Sequence, residues 1–162
     1  MAGFRAAQRG GDGHPALNGA SGMLIRAYES ADETAVVDLW RRCGLLRPQN
    51  DPHADIERKM KVAPELFLVG VVDSEIVATA MAGYEGHRGW INYLAVAPHL
   101  QKSGMGRGIM ARAEMLLRER GCPKINLQVR AGNTQAIEFY KRIGFAVDEV
   151  VSMGKRLVRD DG

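Results

Sequence analysis

The chain has little cysteine, little charge bias and no long apolar run. Its 162 residues contain two cysteines, Cys43 and Cys122, which form no C-x-x-C pair and lack the spacing of a zinc site. A disulfide-stapled scaffold and a metal centre are therefore not expected, and both thiols read as reduced and partly buried, as in a cytoplasmic protein. No stretch approaches the roughly 18 apolar residues that span a membrane, and no signal-peptide core appears. Lys and Arg number 22 against 19 Asp and Glu, a net charge of +3 with no basic block. That balance argues against a nucleic-acid partner. What remains, 46% hydrophobic and 25% charged residues, is the composition of one ordinary globular domain.

Residues 1–22 are rich in Gly and Ala with scattered Arg and no periodicity, so a flexible tail is expected there, a folded domain over 23–158 and a short tail over 159–162. Met23–Ala27 reads as a first strand. Ser30-x-x-Glu33 is expected to form a capping box opening a helix, with Val36, Val37, Leu39, Trp40 and Cys43 on one side and Gly44 at its end. Asp51-Pro52 signals a second helix, to about Val62. Leu66–Val72 and Ile76–Tyr84 flank a short turn at Asp73-Ser74 as a hairpin, and Trp90–Val96 is a further strand. From Gly106 to Arg120 the apolar set Ile109, Met110, Ala113, Leu116 and Leu117 keeps a helical period. Lys124–Val129 reads as a strand, Asn133 as the cap of a last helix, and Phe145–Val151 with Ser152–Val158 as a terminal hairpin. The expected fold is mixed α/β, with a mostly antiparallel sheet of about seven strands and about four helices on its faces.

Between a strand and a helix lies Q-K-S-G-M-G-R-G, from Gln101 to Gly108. A glycine-rich turn at a helix start presents free backbone N–H groups and the positive end of the helix dipole, with Lys102, Arg107 and Arg112 nearby. The minimal reading is a phosphate or pyrophosphate cradle; an ordinary glycine-rich connection is the alternative. No Lys-Ser or Lys-Thr pair follows the glycines, which excludes the nucleotide P-loop. Ile109 stands where a dinucleotide fingerprint has its third glycine.

The remaining pattern, Q-x-x-G-x-G just after Leu94-Ala95-Val96-Ala97-Pro98, resembles the acetyl-coenzyme A (acetyl-CoA) loop of the GNAT superfamily of N-acetyltransferases. A second segment, Asn133-x-x-Ala136-x-x-Phe139-Tyr140-x-x-x-Gly144-Phe145, is similar to a signature of the same superfamily, one helix and one strand further on. Shorter stretches such as N-D-P-x-x-D-I-E-R-K-M and G-Y-x-G-H-R-G resemble the bacterial YpeA-type acetyltransferases.

The resemblance implies transfer of an acetyl group from acetyl-CoA to a primary amine by direct attack. Backbone groups of Leu94, Ala95 and Val96 would hold the pantetheine arm and thioester, and Gln101, Lys102, Ser103, Gly104, Met105, Gly106 and Arg107 the pyrophosphate. Asn133 would cap its helix and touch the coenzyme arm. Tyr140 would protonate the departing thiolate, since a phenol with pKa about 10 keeps its proton at neutral pH. Related ribosomal-protein alanine acetyltransferases carry a glutamate base where this chain has Gln128, which accepts no proton. Glu85 and His87 are the substitute candidates, His87 having the better intrinsic pKa. The acceptor pocket is expected between Leu45–Asp51, Tyr84–Trp90 and the terminal hairpin, with Arg47, Asp51, Arg88, Trp90 and Tyr93 lining it. A non-catalytic CoA-binding protein and a transferase for longer acyl groups, given room by Ala80, Ala82 and Ala95, are the rival readings. A homodimer is compatible with exposed terminal strands.

Overall fold

The structure, a computed structural model, describes residues 22–160. The expected tail over 1–22 thus lies, but for Gly22, outside the described residues. Five strands form one sheet in the order β1-β2-β3-β4-β5: β1 is Leu24–Ala27, β2 Phe67–Val72, β3 Glu75–Tyr84, β4 Gly89–Val96 and β5 Ile125–Leu127. The first three pairings are antiparallel and β4–β5 is parallel. Helices α1 (Glu33–Arg42), α2 (Pro52–Met60), α3 (Met105–Glu119) and α4 (Thr134–Arg142) complete the mixed α/β fold.

Period-2 alternation along β2 and β3 divides the core into two layers. On one face Trp40 of α1 stacks on Phe67 at 6.1 Å between ring centroids and donates from Nε1 to the Thr79 hydroxyl at 2.9 Å. The opposite face presents Gly70, Ala78, Ala80 and Ala82, small residues that let α3 lie close. Val36, Leu39 and Trp40 of α1 and Ile109, Ala113 and Leu117 of α3 are almost wholly buried, so the helical stripes legible in the sequence are the surfaces that hold the sheet. Each large buried aliphatic side chain contributes about 1.5–3 kcal/mol relative to exposure.

Local signals decide the boundaries. The Asp51 carboxylate accepts the His53 N–H at 2.9 Å, capping α2 with Pro52 in its first turn. Asp73 and Ser74 take φ of 48° and 66°, the two left-handed residues of a type I′ hairpin turn. The start of α1 departs from the Ser30/Glu33 capping box. It is Asp32, in a 3-10 turn ahead of α1, that accepts the Glu29 N–H at 2.8 Å and both guanidinium nitrogens of Arg26 at 2.7 and 2.9 Å. A buried carboxylate satisfied on three sides outcompetes a solvent-facing serine cap.

The larger difference is at the C-terminus. Phe145–Val158 follows the chain of a hairpin without its ladder, so among the described residues the sheet has five strands rather than about seven. The pattern there alternates, but no described residue covers it: Val147, Val150, Val151 and Met153 are 75–91% exposed, and β5 offers an edge only three residues long. Side chains tether the segment instead. Asp148 accepts from Lys124 at 2.8 Å and Asn126 at 2.9 Å, Arg156 donates to the Gln49 carbonyl and to Asn50 at 3.1 Å each, and Asp160 pairs with Arg58.

The Arg26 guanidinium hydrogen-bonded to Asp32 holds that carboxyl below its usual range, against the cost of burial. A lowered carboxyl pKa stabilises the fold above the carboxylate range and loses that contribution as pH falls through it. Asp32→Asn is expected to cost about 1–3 kcal/mol at neutral pH. Urea unfolding at stepped pH should find the gap to wild type narrowing below about pH 4.

Candidate functional site

The site begins where β4 leaves β5. Parallel pairing runs from Gly89↔Ile125 to Ile91↔Leu127 and stops, while β4 continues to Val96. Leu94, Ala95 and Val96 therefore have no β5 partner on that side, and a wedge opens between the strands. On the other side β4 carries one extra residue: Thr79 pairs with Ala95 and Met81 with Asn92, so Ala80 alone faces Tyr93 and Leu94. Tyr93, at the bulge, has φ of 49°.

The glycine-rich turn lies at the mouth of this wedge. Gln101 donates from its side-chain amide to the Val96 carbonyl at 3.2 Å, tying the turn to the strand end. Lys102 is left-handed at φ 62° and Gly104 at φ 87°, and the Ser103 hydroxyl donates to the Leu100 carbonyl. Gly104 is the N-cap of α3, a position whose backbone sign suits glycine. The first intrahelical bond of α3 is Gly108 N–H to the Gly104 carbonyl, so the N–H groups of Met105, Gly106 and Arg107 point out of the helix end. Lys102 and Arg107 are exposed beside them, and no acidic residue occupies the first turn of α3. This end attracts and hydrogen-bonds an anion.

Gly106 also joins the second motif to the first. A Cβ there would sit 3.1 Å from the Phe139 ring and 3.6 Å from Val96, so its absence lets α4 close on the start of α3. Asn133 caps α4, its Oδ1 accepting the Ala136 N–H at 3.1 Å. Tyr140, on the same helix, packs edge-on against Phe139 and Phe145. Burial pushes its phenol up to about 12, so the hydroxyl is protonated across the neutral range and is a weaker acid than a free phenol. Cys43 donates from Sγ to the Val96 carbonyl at 3.2 Å, and burial raises its thiol pKa.

Other candidates fall elsewhere. The Glu85 carboxylate accepts the N–H groups of His87 at 3.2 Å and Arg88 at 2.5 Å, closing the turn that enters β4. Glu85 and His87 are exposed at the Gly89 end of the strand, the opposite end from Leu94–Val96. Arg88 and Trp90 share that end. Gln128, just past β5, donates its amide to Ser152. Arg47 and Asp51 line an open cleft of 510 Å³ with Leu46, Asn50 and Asp160. A neighbouring cleft of 580 Å³ is bounded by Arg58, Asp160 and residues 154–158. Between them the Arg58 guanidinium holds the Asp160 carboxyl down to about 2, and the Tyr93 phenol donates to Asp55 at 2.5 Å. Burial, then Asp55, raises the Tyr93 pKa.

The sequence reading missed Asp55, Arg58 and Asp160 here, and Thr79 under the bulge. Asp55 and Arg58 carried a signal, opposite charges three apart on a helix. Thr79 carried one too, a lone hydroxyl within V-A-T-A-M-A.

Other chains resemble this one in sequence and in fold. The Acetyltransferase (GNAT) family model matches residues 30–145. An acetyltransferase of Pectobacterium atrosepticum is 46% identical over 138 residues, covering 85% of this chain and 98% of that one. The chain belongs to the GNAT family of acetyltransferases. Solved structures share the fold: AAC(6')-Iy in complex with a bisubstrate analogue, CoA-S-monomethyl-acetylneamine, has a TM-score of 0.70 at 17% identity, over 84% of this chain and 99% of that one. A predicted acetyltransferase of Clostridium acetobutylicum, solved with acetyl-CoA, has a TM-score of 0.65 at 21% identity, over 82% of this chain and 96% of that one. Among the described residues no helix is long and apolar enough to cross a membrane, and no cluster of His, Cys, Asp or Glu has the arrangement of a metal site.

A tyrosine whose pKa is raised by folding stabilises the protein below its ordinary value of 10 and loses that contribution as pH climbs towards 12. Tyr140→Phe is expected to remove this share of alkaline destabilisation, on the order of 1 kcal/mol. Urea unfolding of both proteins at pH 8 and pH 11 measures it as the change in their stability difference.

Proposed function

We propose that the protein transfers the acetyl group of acetyl-CoA to a primary amine, on a small molecule or a protein N-terminus, by direct attack on the thioester. The observation that carries this reading is the wedge between β4 and β5 opening beside the bare N-terminus of α3. Acetyl-CoA has the two features such a site suits: a pyrophosphate for the turn from Gln101 to Arg107, and a pantetheine arm with amides for the unpaired backbone of Leu94, Ala95 and Val96. The relatives solved with CoA derivatives support the same co-substrate. The short stretches that resemble YpeA-type enzymes suggest that branch of the family.

In the proposed reaction the amine nitrogen attacks the thioester carbon, and charge develops on the carbonyl oxygen. A backbone N–H of the strand end stabilises that charge, an effect worth several kcal/mol in a dry site. The carbon–sulfur bond breaks, Tyr140 supplies a proton to the departing thiolate, and the nitrogen loses a proton to solvent, from which Tyr140 regains its own. Asn133 adds a side-chain amide at the mouth of α4. The acceptor approaches from the Asp51, Asp55 and Asp160 side, where both open clefts lie. Glu85 and His87 receive no proton in this scheme, because the length of β4 separates them from the strand end. An α-amine with pKa about 8 is partly neutral without a base. Ala80, Ala82 and Ala95 are all buried, so they lend no open space to the rival reading with a longer acyl chain; kinetics with different acyl chains separates the two.

Thermal unfolding with acetyl-CoA, CoA, ATP and NAD in parallel tests the co-substrate. The CoA pair at about 100 times its dissociation constant is expected to stabilise by roughly 2.7 kcal/mol, with no shift from ATP or NAD; the reverse pattern overturns the reading. Lys102→Ala is expected to weaken acetyl-CoA binding several-fold by calorimetry while leaving turnover at saturation intact. With an acceptor in hand, pH–rate profiles of Glu85→Gln and His87→Ala should coincide with wild type, and displacement of either curve would reinstate that residue as the base.

A further inference from the structure

The bulge in β4 is held from beneath by a buried chain of hydrogen bonds. The Thr79 hydroxyl donates to the Tyr93 carbonyl at 2.8 Å, and the Trp40 indole N–H donates to the same hydroxyl oxygen at 2.9 Å. Thr79 and Trp40 are both fully buried. The Trp40 ring also stacks on the Tyr93 ring, 3.8 Å between centroids and 13° between planes, while the Tyr93 phenol donates a hydrogen bond to the Asp55 carboxylate. A residue with a side chain adopts φ of 49° within a strand only when its surroundings impose it. Here carbonyl, ring and phenol are each fixed.

Thr79 is unusual for its place. Asp32 and Thr79 are the buried polar or charged residues of the described chain, and valine would fill the same volume with better strand propensity. A hydroxyl has one proton, and the indole N–H only donates. The direction is therefore fixed, from Trp40 to Thr79 to the Tyr93 carbonyl. That carbonyl belongs to the peptide plane joining Tyr93 and Leu94. In a trans peptide the C=O and the following N–H point in opposite directions. Anchoring the Tyr93 oxygen on Thr79 therefore turns the Leu94 N–H away from Thr79, to the side of β4 that β5 has left.

We propose that Thr79 and Trp40 are positioning residues for acetyl transfer: through the Tyr93–Leu94 peptide they aim the Leu94 N–H at the thioester carbonyl. This rests on the acetyl-CoA reading above and assigns a task to two residues that touch neither substrate. Loss of the Thr79 hydroxyl frees the peptide to rotate, and the N–H then loses its aim although the wedge and the glycine turn persist.

Isotope-edited infrared spectroscopy of [1-¹³C]acetyl-CoA bound to the full chain reads that hydrogen bond without an acceptor. Wild type is expected to move the thioester carbonyl band to lower wavenumber than in free acetyl-CoA. Thr79→Val should return the band to its free position and reduce the preference for acetyl-CoA over CoA about fivefold, the size of one hydrogen bond. Thr79→Ser should keep both. A folded Thr79→Val protein with the wild-type band, even one that melts lower, overturns the proposal, since the chain then only supports packing. Should Thr79→Val fail to fold, Trp40→Phe decides. It retains a stacking ring but releases the hydroxyl, so a partial return of the band supports the proposal and an unmoved band overturns it. A wild-type protein stabilised by acetyl-CoA that shows no band shift refutes this inference alone; one stabilised by neither acetyl-CoA nor CoA refutes the acetyl-CoA reading beneath it.

Discussion

Because β4 and β5 run parallel, the chain between them must cross from one end of the sheet to the other, and α3 makes that crossing. The remaining geometry depends on this. A crossover helix begins at the carboxyl end of the strand before it, so the positive end of α3 lies beside Val96 and the unpaired reach of β4. Were the pair antiparallel, a tight turn would join the strands, with neither wedge nor helix end at that position. Gly106 completes the arrangement by letting Phe139 come within contact of the same helix end, which brings the two sequence motifs together.

Much of this was legible because its causes are local. The glycines of 104–108, the stripe of α3, the Asp51-Pro52 start of α2 and the Asn133 cap each follow from short-range sterics or hydrogen bonding, and the structure has them near their expected positions. The failures share the opposite cause. Whether Phe145–Val158 becomes a hairpin depends on a neighbouring edge long enough to pair with, and a three-residue β5 is invisible in the sequence of the segment itself. The shift of the first cap from Ser30 to Asp32 depends on Arg26, which reaches from the end of β1 to the turn after it. The bulge at Tyr93 depends on a count of residues across two strands, which no window along one strand contains.

The two ends of β4 divide its duties. At the Gly89 end the strand is paired on both sides and serves the sheet, with Glu85 and His87 in the turn that feeds it. At the Val96 end it is paired only with β3, and its backbone is turned by the bulge. His87, a candidate base by its chemistry, lies in the turn before β4, at the opposite end of the strand from Leu94–Val96. Tyr140 lies on α4, whose Phe139 packs at the α3 end, and its ring is held among Phe139 and Phe145.

The bare end of α3 has a consequence for how this protein tolerates change. Its donors are main-chain amides, which every residue but proline possesses and which do not ionise in water near neutrality. Replacing the side chains of 103, 105 or 107 one at a time leaves those donors in place, so an alanine scan passes over the feature that gives this surface its polarity. At 103 and 107, which are exposed, drift leaves those donors intact so long as the glycine spacing stands, whereas Met105 is buried and also fills the core. Proline, the one residue without a backbone N–H, is the substitution that exposes it.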